Sequence, residues 1–234
     1  MDPKRKALID KYRGLRVTDV SDGMDYMNLW DRGNMDPNIR PLWRDTETFA
    51  HRIYGFAHTV RFAPTNRPIT ARSPEEIGEF IRHWYREWAP GPHREQIQEG
   101  DVIVIDGQGL DVGFIGSNNA LSWIAAGAVG AVTNGGCRDT DELILEKVPV
   151  YSRLICKTIR PGRLEFVGEQ VTVTVGGVMV RPGDLVVADG DGVVVVPIEV
   201  AEEVAEYAWA VAKHDKAGRR ALYERVGLQP DETV

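Results

Sequence analysis

The sequence predicts a mixed α/β fold, with one domain built on a mixed sheet, a helical extension before it and a long helix after it. Three observations carry this expectation. From residue 100, short apolar runs alternate with helical segments, the rhythm of parallel βαβ units, whose crossovers are almost always right-handed. Between Glu169 and Pro197 the rhythm changes to short β-rich runs broken by Gly-Gly, Pro-Gly and Asp-Gly, which predicts antiparallel hairpins. The chain then closes on "EVAEEVAEYAWAVAKHDKAGRRALYERV", an amphipathic helical pattern. The expected division is a helical and loop extension over 1–50, an α/β core over 51–198 and the closing helix over 199–234, all within a single domain.

Each element has a local reason. The first helix is expected around Pro3 to Tyr12 and a second opens near Thr18 in "VTDVSDGMDYM". "WDRGNMDPNIRPLW" reads as an ordered loop rich in Gly, Pro and Asn, and "YGFAHTVRF" alternates as a strand. "SPEEIGEFIRHWYREW" opens with Ser73 as N-cap, Pro74 at the first helical position and acids in the first turn; "APGP" stops it. "DVIVIDGQG" is a buried strand, "NNALSWIAAGA" a helix, "VGAVTNGG" a strand, "TDELI" a short helix capped by Thr140 and "VPVYSR" a strand. In the closing helix Val200, Val204, Tyr207, Ala208 and Val211 share the expected apolar face.

Composition narrows the function classes. The 234 residues are 43% hydrophobic and 27% charged, as in a chain able to bury a core. A net charge of −7, with no dense Lys/Arg face, argues against nucleic acid as a partner. The start "MDPKRKALIDKY" lacks a signal-peptide apolar region, and no run of eighteen apolar residues occurs, so a cytoplasmic protein without a membrane partner is expected. Cys137 and Cys156 form no metal-spaced set and read as free thiols; Arg138 beside Cys137 is a cation able to lower a thiol pKa.

Several motifs read as structure. "DGQGLDVGFIG" is not a GxGxxG opening directly onto a helix, and fits a tight turn. The five histidines form no HExxH or HxH. The aromatics of "IRHWYREW" suit core or interface before a pocket wall. Asp189 and Asp191 in "ADGDGVVVVP" sit where an Asp-Gly hairpin turn is expected, although close carboxylates also suit a hard cation.

"NGGCRDTDEL" is the most informative segment. It leaves the end of a predicted parallel strand, where α/β sheets bind ligands. Arg138 offers a planar fork for a carboxylate, and Asp139 hard oxygen for Mg²⁺ or Mn²⁺. "GSNNA" (Gly116 to Ala120) begins the helix before that strand, so its free N–H groups point toward the same end of the sheet.

"VTDVSDGMD", "GFAHTVRF", "GDVIVIDGQG", the stretch from Gly116 through "GAVGAVTNGGCRD", "VPVYSR" and "VGGVMVRPGDLVVADGDGVVVVP", in that order, resemble the RraA-like family. That family contains 4-hydroxy-4-methyl-2-oxoglutarate and 4-carboxy-4-hydroxy-2-oxoadipate aldolases, regulators that bind ribonuclease E, and proteins labelled demethylmenaquinone methyltransferases. The resemblance implies a compact core of the swivelling β/β/α kind, assembled as a homotrimer or homohexamer with sites near subunit boundaries. It places binding of a 2-oxo acid and a divalent metal on Arg138 and Asp139, with Asp139 as metal ligand. The substrate loop falls on Gly116, Asn118 and Asn119, whose amides would cradle pyruvate. The family's acidic residue, twenty-one positions before the arginine, is Ser117 here.

That departure touches the chemistry. Metal-dependent aldol cleavage needs a base for the distant hydroxyl, and Ser117 alone is a poor one, whereas decarboxylation of an oxaloacetate-like acid needs only charge stabilisation and later protonation. The leading expectation is therefore a Mg²⁺- or Mn²⁺-dependent lyase on a small 2-oxo acid, catalysed through Arg138, Asp139 and Ser117. Two alternatives stand beside it: an isomerase or hydratase of a sugar-derived hydroxy acid, with Ser117, Asn118 and Asn119 reading hydroxyls, and a non-catalytic regulator of a ribonuclease.

Overall fold

The computed structural model describes residues 1–231 and 233–234. Two short helices, α1 (Pro3–Tyr12) and α2 (Val17–Tyr26), precede a two-residue edge strand, β1 (Arg40–Pro41), and the long strand β2 (Ile53–Pro64). Then follow α3 (Pro74–Glu87), β3 (Asp101–Asp106), β4 (Gly113–Ile115), α4 (Ser117–Ala126), β5 (Gly130–Cys137), α5 (Thr140–Leu145) and β6 (Val150–Ile155). Five further strands, β7 (Leu164–Glu169), β8 (Val173–Val175), β9 (Val178–Val180), β10 (Leu185–Asp189) and β11 (Gly192–Val196), lead into α6 (Ala201–Val226).

The main sheet runs β1-β6-β5-β3-β2-β10-β11, with β4 paired to β5 and β7 to β2. The centre β2-β3-β5-β6 is parallel and the flanks are antiparallel, so the sheet is mixed as expected. Arg40 in β1 donates to the Asp191 carbonyl at 3.0 Å, which draws the two sheet edges together and nearly closes the sheet. β8 and β9 form a separate hairpin.

Strand alternation fills three cores. On β3, Ile103 and Ile105 face the helices α3 to α5, among Phe62, Trp84, Phe114 and Trp123, while Val102 and Val104 face the opposite side with Ile53, Tyr151 and the β8–β9 valines. Such two-sided burial is why these strands read as unbroken apolar runs. On β10 and β11, Leu185, Val187, Val194 and Val196 meet α1, α2 and α6.

Four local expectations change. Asp139, not Thr140, is the N-cap of α5. The buried face of α6 is Ala201, Val204, Ala205, Ala208 and Ala212; Tyr207 is exposed and stacks on Tyr26, with ring centroids 5.7 Å apart. The small face is required because α2 crosses so closely that a Cβ on Gly23 would lie 2.8 Å from the Val204 carbonyl. The "GFI" of the glycine-rich stretch is the strand β4, and β7 had no counterpart among the expected strands. The Asp-Gly turn is a hairpin: Asp189 Oδ1 accepts from Asp191 N at 2.8 Å while Oδ2 accepts from Val17 N at 3.0 Å.

Candidate functional site

Three successive crossings bring the site together at the C-terminal ends of the parallel strands, where an α/β sheet leaves open space. β4 leads through Gly116 into α4, β5 ends at Cys137 and delivers Arg138 and Asp139, and Arg160 follows β6. Gly116, Arg138, Asp139 and Arg160 line a cleft of about 460 Å³ with Asn118, Asn119, Tyr85 and Gly91. A larger groove of about 740 Å³ runs along α3, but one helix and the loop before it supply its lining and its charged groups face solvent.

The cleft's carboxylate is held by its own backbone. Asp139 has φ 57° and ψ 43°, the left-handed region that Asp and Asn visit more readily than other side chains. This kink turns the chain from β5 into α5, and the carboxylate faces the start of α4: Oδ2 lies 3.3 Å from Ser117 N. Oδ1 accepts from Arg138 Nε at 3.0 Å. Strained backbone of this kind persists where the surroundings over-determine it, and it concentrates at functional positions.

Close approach demands glycine on the facing loop. A Cβ on Gly116 would lie 2.7 Å from Asp139 Oδ2, and one on Gly113 would lie 3.0 Å from Arg138 Cδ and 2.4 Å from the Thr158 carbonyl. The stem of Arg138 therefore lies across bare backbone. Gly116 is the N-cap of α4, and the first helical bond is Ala120 N to Gly116 O at 2.9 Å. The N–H groups of Ser117, Asn118 and Asn119 thus precede the helical ladder, giving the cleft a helix N-terminus beside an arginine.

The expected site residues Gly116, Ser117, Asn118, Asn119, Arg138 and Asp139 are brought together within one region. Ser117 is buried, with its backbone turned to Asp139, while Asn118 is exposed and Asn119 half-buried at the rim. Cys137 points elsewhere: its sulfur lies 3.1 Å from Ser152 Oγ, and burial pushes the thiol pKa up, so Arg138 does not activate it. Sequence reasoning missed Tyr85, Gly91 and Arg160. Tyr85 was visible only as one of the α3 aromatics; its neighbour Trp84 is fully buried in the core while Tyr85 faces the cleft. Arg160 lies in a segment without a strong pattern, and its one available signal is that it follows β6 at the same end of the sheet.

A parallel-centred sheet that brings an arginine, an aspartate and a helix N-terminus together at its open end defines the chain as a mixed α/β protein. Residues 17–195 match the RraA-like (Aldolase/RraA) family model, and the chain belongs to that family. It is 28% identical over 220 residues to a protein of Halalkalibacterium halodurans provisionally named a 4-hydroxy-4-methyl-2-oxoglutarate aldolase, covering 93% of this chain and 90% of that one. It is 37% identical over 106 residues, 44% of this chain and 63% of the other, to the 4-hydroxy-4-methyl-2-oxoglutarate aldolase of Thermus thermophilus. A solved structure of an uncharacterised Pseudomonas syringae protein superposes with a TM-score of 0.73 at 27% identity, covering 96% of this chain and 94% of that one. Among the described residues no helix is long and apolar enough to cross a membrane.

Proposed function

We propose that this protein is a divalent-metal-dependent carbon–carbon lyase acting on a small 2-oxo acid. The observation that carries the reading is the Arg138–Asp139 pair facing the N-terminus of α4 in one cleft. Arg138 supplies a guanidinium for the substrate carboxylate, and the N–H groups of Asn118 and Asn119 are placed to receive negative charge. The aldolase names of the relatives support the same class.

The donor set fits Mg²⁺ or Mn²⁺. Among the described residues Asp139 is the only carboxylate lining the cleft, and no three His, Cys, Asp or Glu side chains converge as a cage. Mg²⁺ is commonly bound by one or two carboxylates, with waters and substrate oxygens completing the shell. Asp139 would hold it, and bound there it would supply Lewis-acid stabilisation of charge developing on the 2-oxo oxygen.

Within this class the lining favours decarboxylation over aldol cleavage. Aldol cleavage needs a group to take the distant hydroxyl proton, and Ser117 stands where a carboxylate would do so. Among the described residues no other carboxylate and no histidine lines the cleft. Decarboxylation breaks the bond to the departing carboxylate, leaves the electron pair on the 2-oxo fragment and requires a proton only afterwards.

Steady-state assays of oxaloacetate and 4-hydroxy-2-oxo acids with Mg²⁺ or Mn²⁺, with and without EDTA, test the proposal. Pyruvate release that EDTA abolishes is expected, faster from oxaloacetate. Absence of metal-dependent release from every substrate, together with ribonuclease capture unaffected by Arg138→Ala, would replace it with the regulator reading.

A further inference from the structure

Arg160 carries a charge that the protein itself does not neutralise. It is only 3% exposed, yet among the described residues no carboxylate lies within ion-pair distance of its guanidinium. Nη1 donates to the Pro90 carbonyl at 3.0 Å, and the rings of Phe62 and Tyr85 each lie 5.2 Å from Cζ. Burial pushes its pKa down, partly offset by Tyr85. Taking a cation out of water is costly unless an anion meets it, and one carbonyl and two ring faces replace only part of the lost hydration. The Tyr85 side chain also meets the guanidinium, and the N–H donors beyond these two neighbours have no carboxylate to accept them.

The surplus charge faces the cleft. Arg160 shares that cleft with Arg138 and Asp139, and Gly91 stands against its tip, where a Cβ would come within 3.6 Å of Nη2 and 3.7 Å of Nη1. A side chain at 91 would cover the guanidinium; glycine leaves it open. Arg138 is partly matched by Asp139 through Nε, whereas Arg160 has no carboxylate of its own among the described residues, so a second anion of the ligand belongs at Arg160.

We propose that Arg160 is a second anion subsite of this cleft, selecting 2-oxo acids that carry a further carboxylate remote from the 2-oxo group. The inference rests on the reading of Arg138 and Asp139 as the 2-oxo end of the site. The remote carboxylate accepts hydrogen bonds from the buried guanidinium, and its selectivity comes from the cost of leaving that cation unmatched when a monocarboxylate binds. If Arg160 served packing alone, its loss would lower stability and leave ligand preference untouched.

The experiment is calorimetric titration of the full-length, Mg²⁺-loaded protein with 2-oxoglutarate and 2-oxovalerate, which share a five-carbon 2-oxo acid chain and differ by one carboxylate. Wild type is expected to favour 2-oxoglutarate by about 10- to 100-fold, the range for a charge-assisted hydrogen-bonded pair. Arg160→Met is expected to abolish that preference with 2-oxovalerate affinity unchanged and the melting temperature no lower. Arg160→Lys, which keeps the cation but loses the fork, is expected to retain part of it and covers the case in which the Met variant does not fold. A preference that survives Arg160→Met, or a wild type that binds both ligands equally through Arg138, overturns the subsite while leaving the 2-oxo acid site standing. If neither ligand binds, both readings fall. Inorganic phosphate held at Arg160 and not displaced by 2-oxoglutarate would assign the position to a free anion and also overturn the proposal.

Discussion

Single side chains in asymmetric surroundings decide the chemistry and part of the stability. Asp139→Asn keeps a side chain that tolerates left-handed backbone and removes only the charge. Metal-dependent turnover should fall by more than the roughly 10- to 100-fold typical of losing an outer-shell partner, with little change in unfolding midpoint, as read by kinetics and calorimetry on the same preparation. His58 makes a different prediction. It is fully buried, with Nε2 at 2.5 Å from Glu169 and Nδ1 at 3.3 Å from Asp101; burial opposes its charge, but the two carboxylates outweigh burial and raise its pKa to about 9. Because the folded pKa lies above the ordinary value of 6.5, its contribution is complete below about pH 6.5 and fades as pH rises through about 9. Thermal unfolding should show a decline over that window, of the order of 1–3 kcal/mol, that His58→Gln flattens. Arg138 and Asp139 were legible in sequence because they follow a strand end directly. His58 and Arg160 were not, since their partners come from sequence-distant segments that only the folded sheet brings together.

Among elements, the meeting of α4 with the β5–α5 turn and the crossing of α2 over α6 are the two places where space decides the outcome. Gly116→Ala puts a Cβ 2.7 Å from Asp139 Oδ2, so the carboxylate must shift while the surrounding cores stay intact. Metal affinity, measured by titration, should weaken with little loss of stability; unchanged affinity would remove Asp139 Oδ2 from the metal site. Gly23→Ala has the opposite signature. Its Cβ meets backbone, 2.8 Å from the Val204 carbonyl and 3.0 Å from Ala208 N, which cannot give way as a flexible side chain can. Overpacking of about 1–3 kcal/mol should exceed the gain in helix propensity of up to about 1 kcal/mol, lowering the urea midpoint. The same crossing explains why the face of α6 was misread. Large apolar residues mark a helix face in sequence, but here alanines do the packing and Tyr207 is left to stack on Tyr26 outside. The short strand β4 was hidden for a related reason: glycines placed there for close approach to Arg138 and Asp139 resemble the glycines of a loop.

For the whole molecule, the alternation of strand and helix was enough to give the mixed sheet, because β3, β5 and the start of β6 place apolar residues on both faces. Its near closure was not readable, since the Arg40 to Asp191 bond joins residues far apart in sequence. The assembly implied by family resemblance makes a prediction at this scale: sedimentation should give a mass three or six times the 26.1 kDa chain, and Tyr26, Trp30 and Tyr207, exposed in the single chain, are the aromatics available to be covered. A mass of one chain would contradict that assembly. The central claim, that the Arg138–Asp139 cleft holds a metal and a 2-oxo acid, is tested most directly by soaking crystals with Mg²⁺ and oxalate, which mimics the pyruvate enolate. Density is expected for an ion at Asp139 with oxalate between it, Arg138 and the amides of Asn118 and Asn119; oxalate and ion bound elsewhere, with only water in the cleft, would contradict that claim.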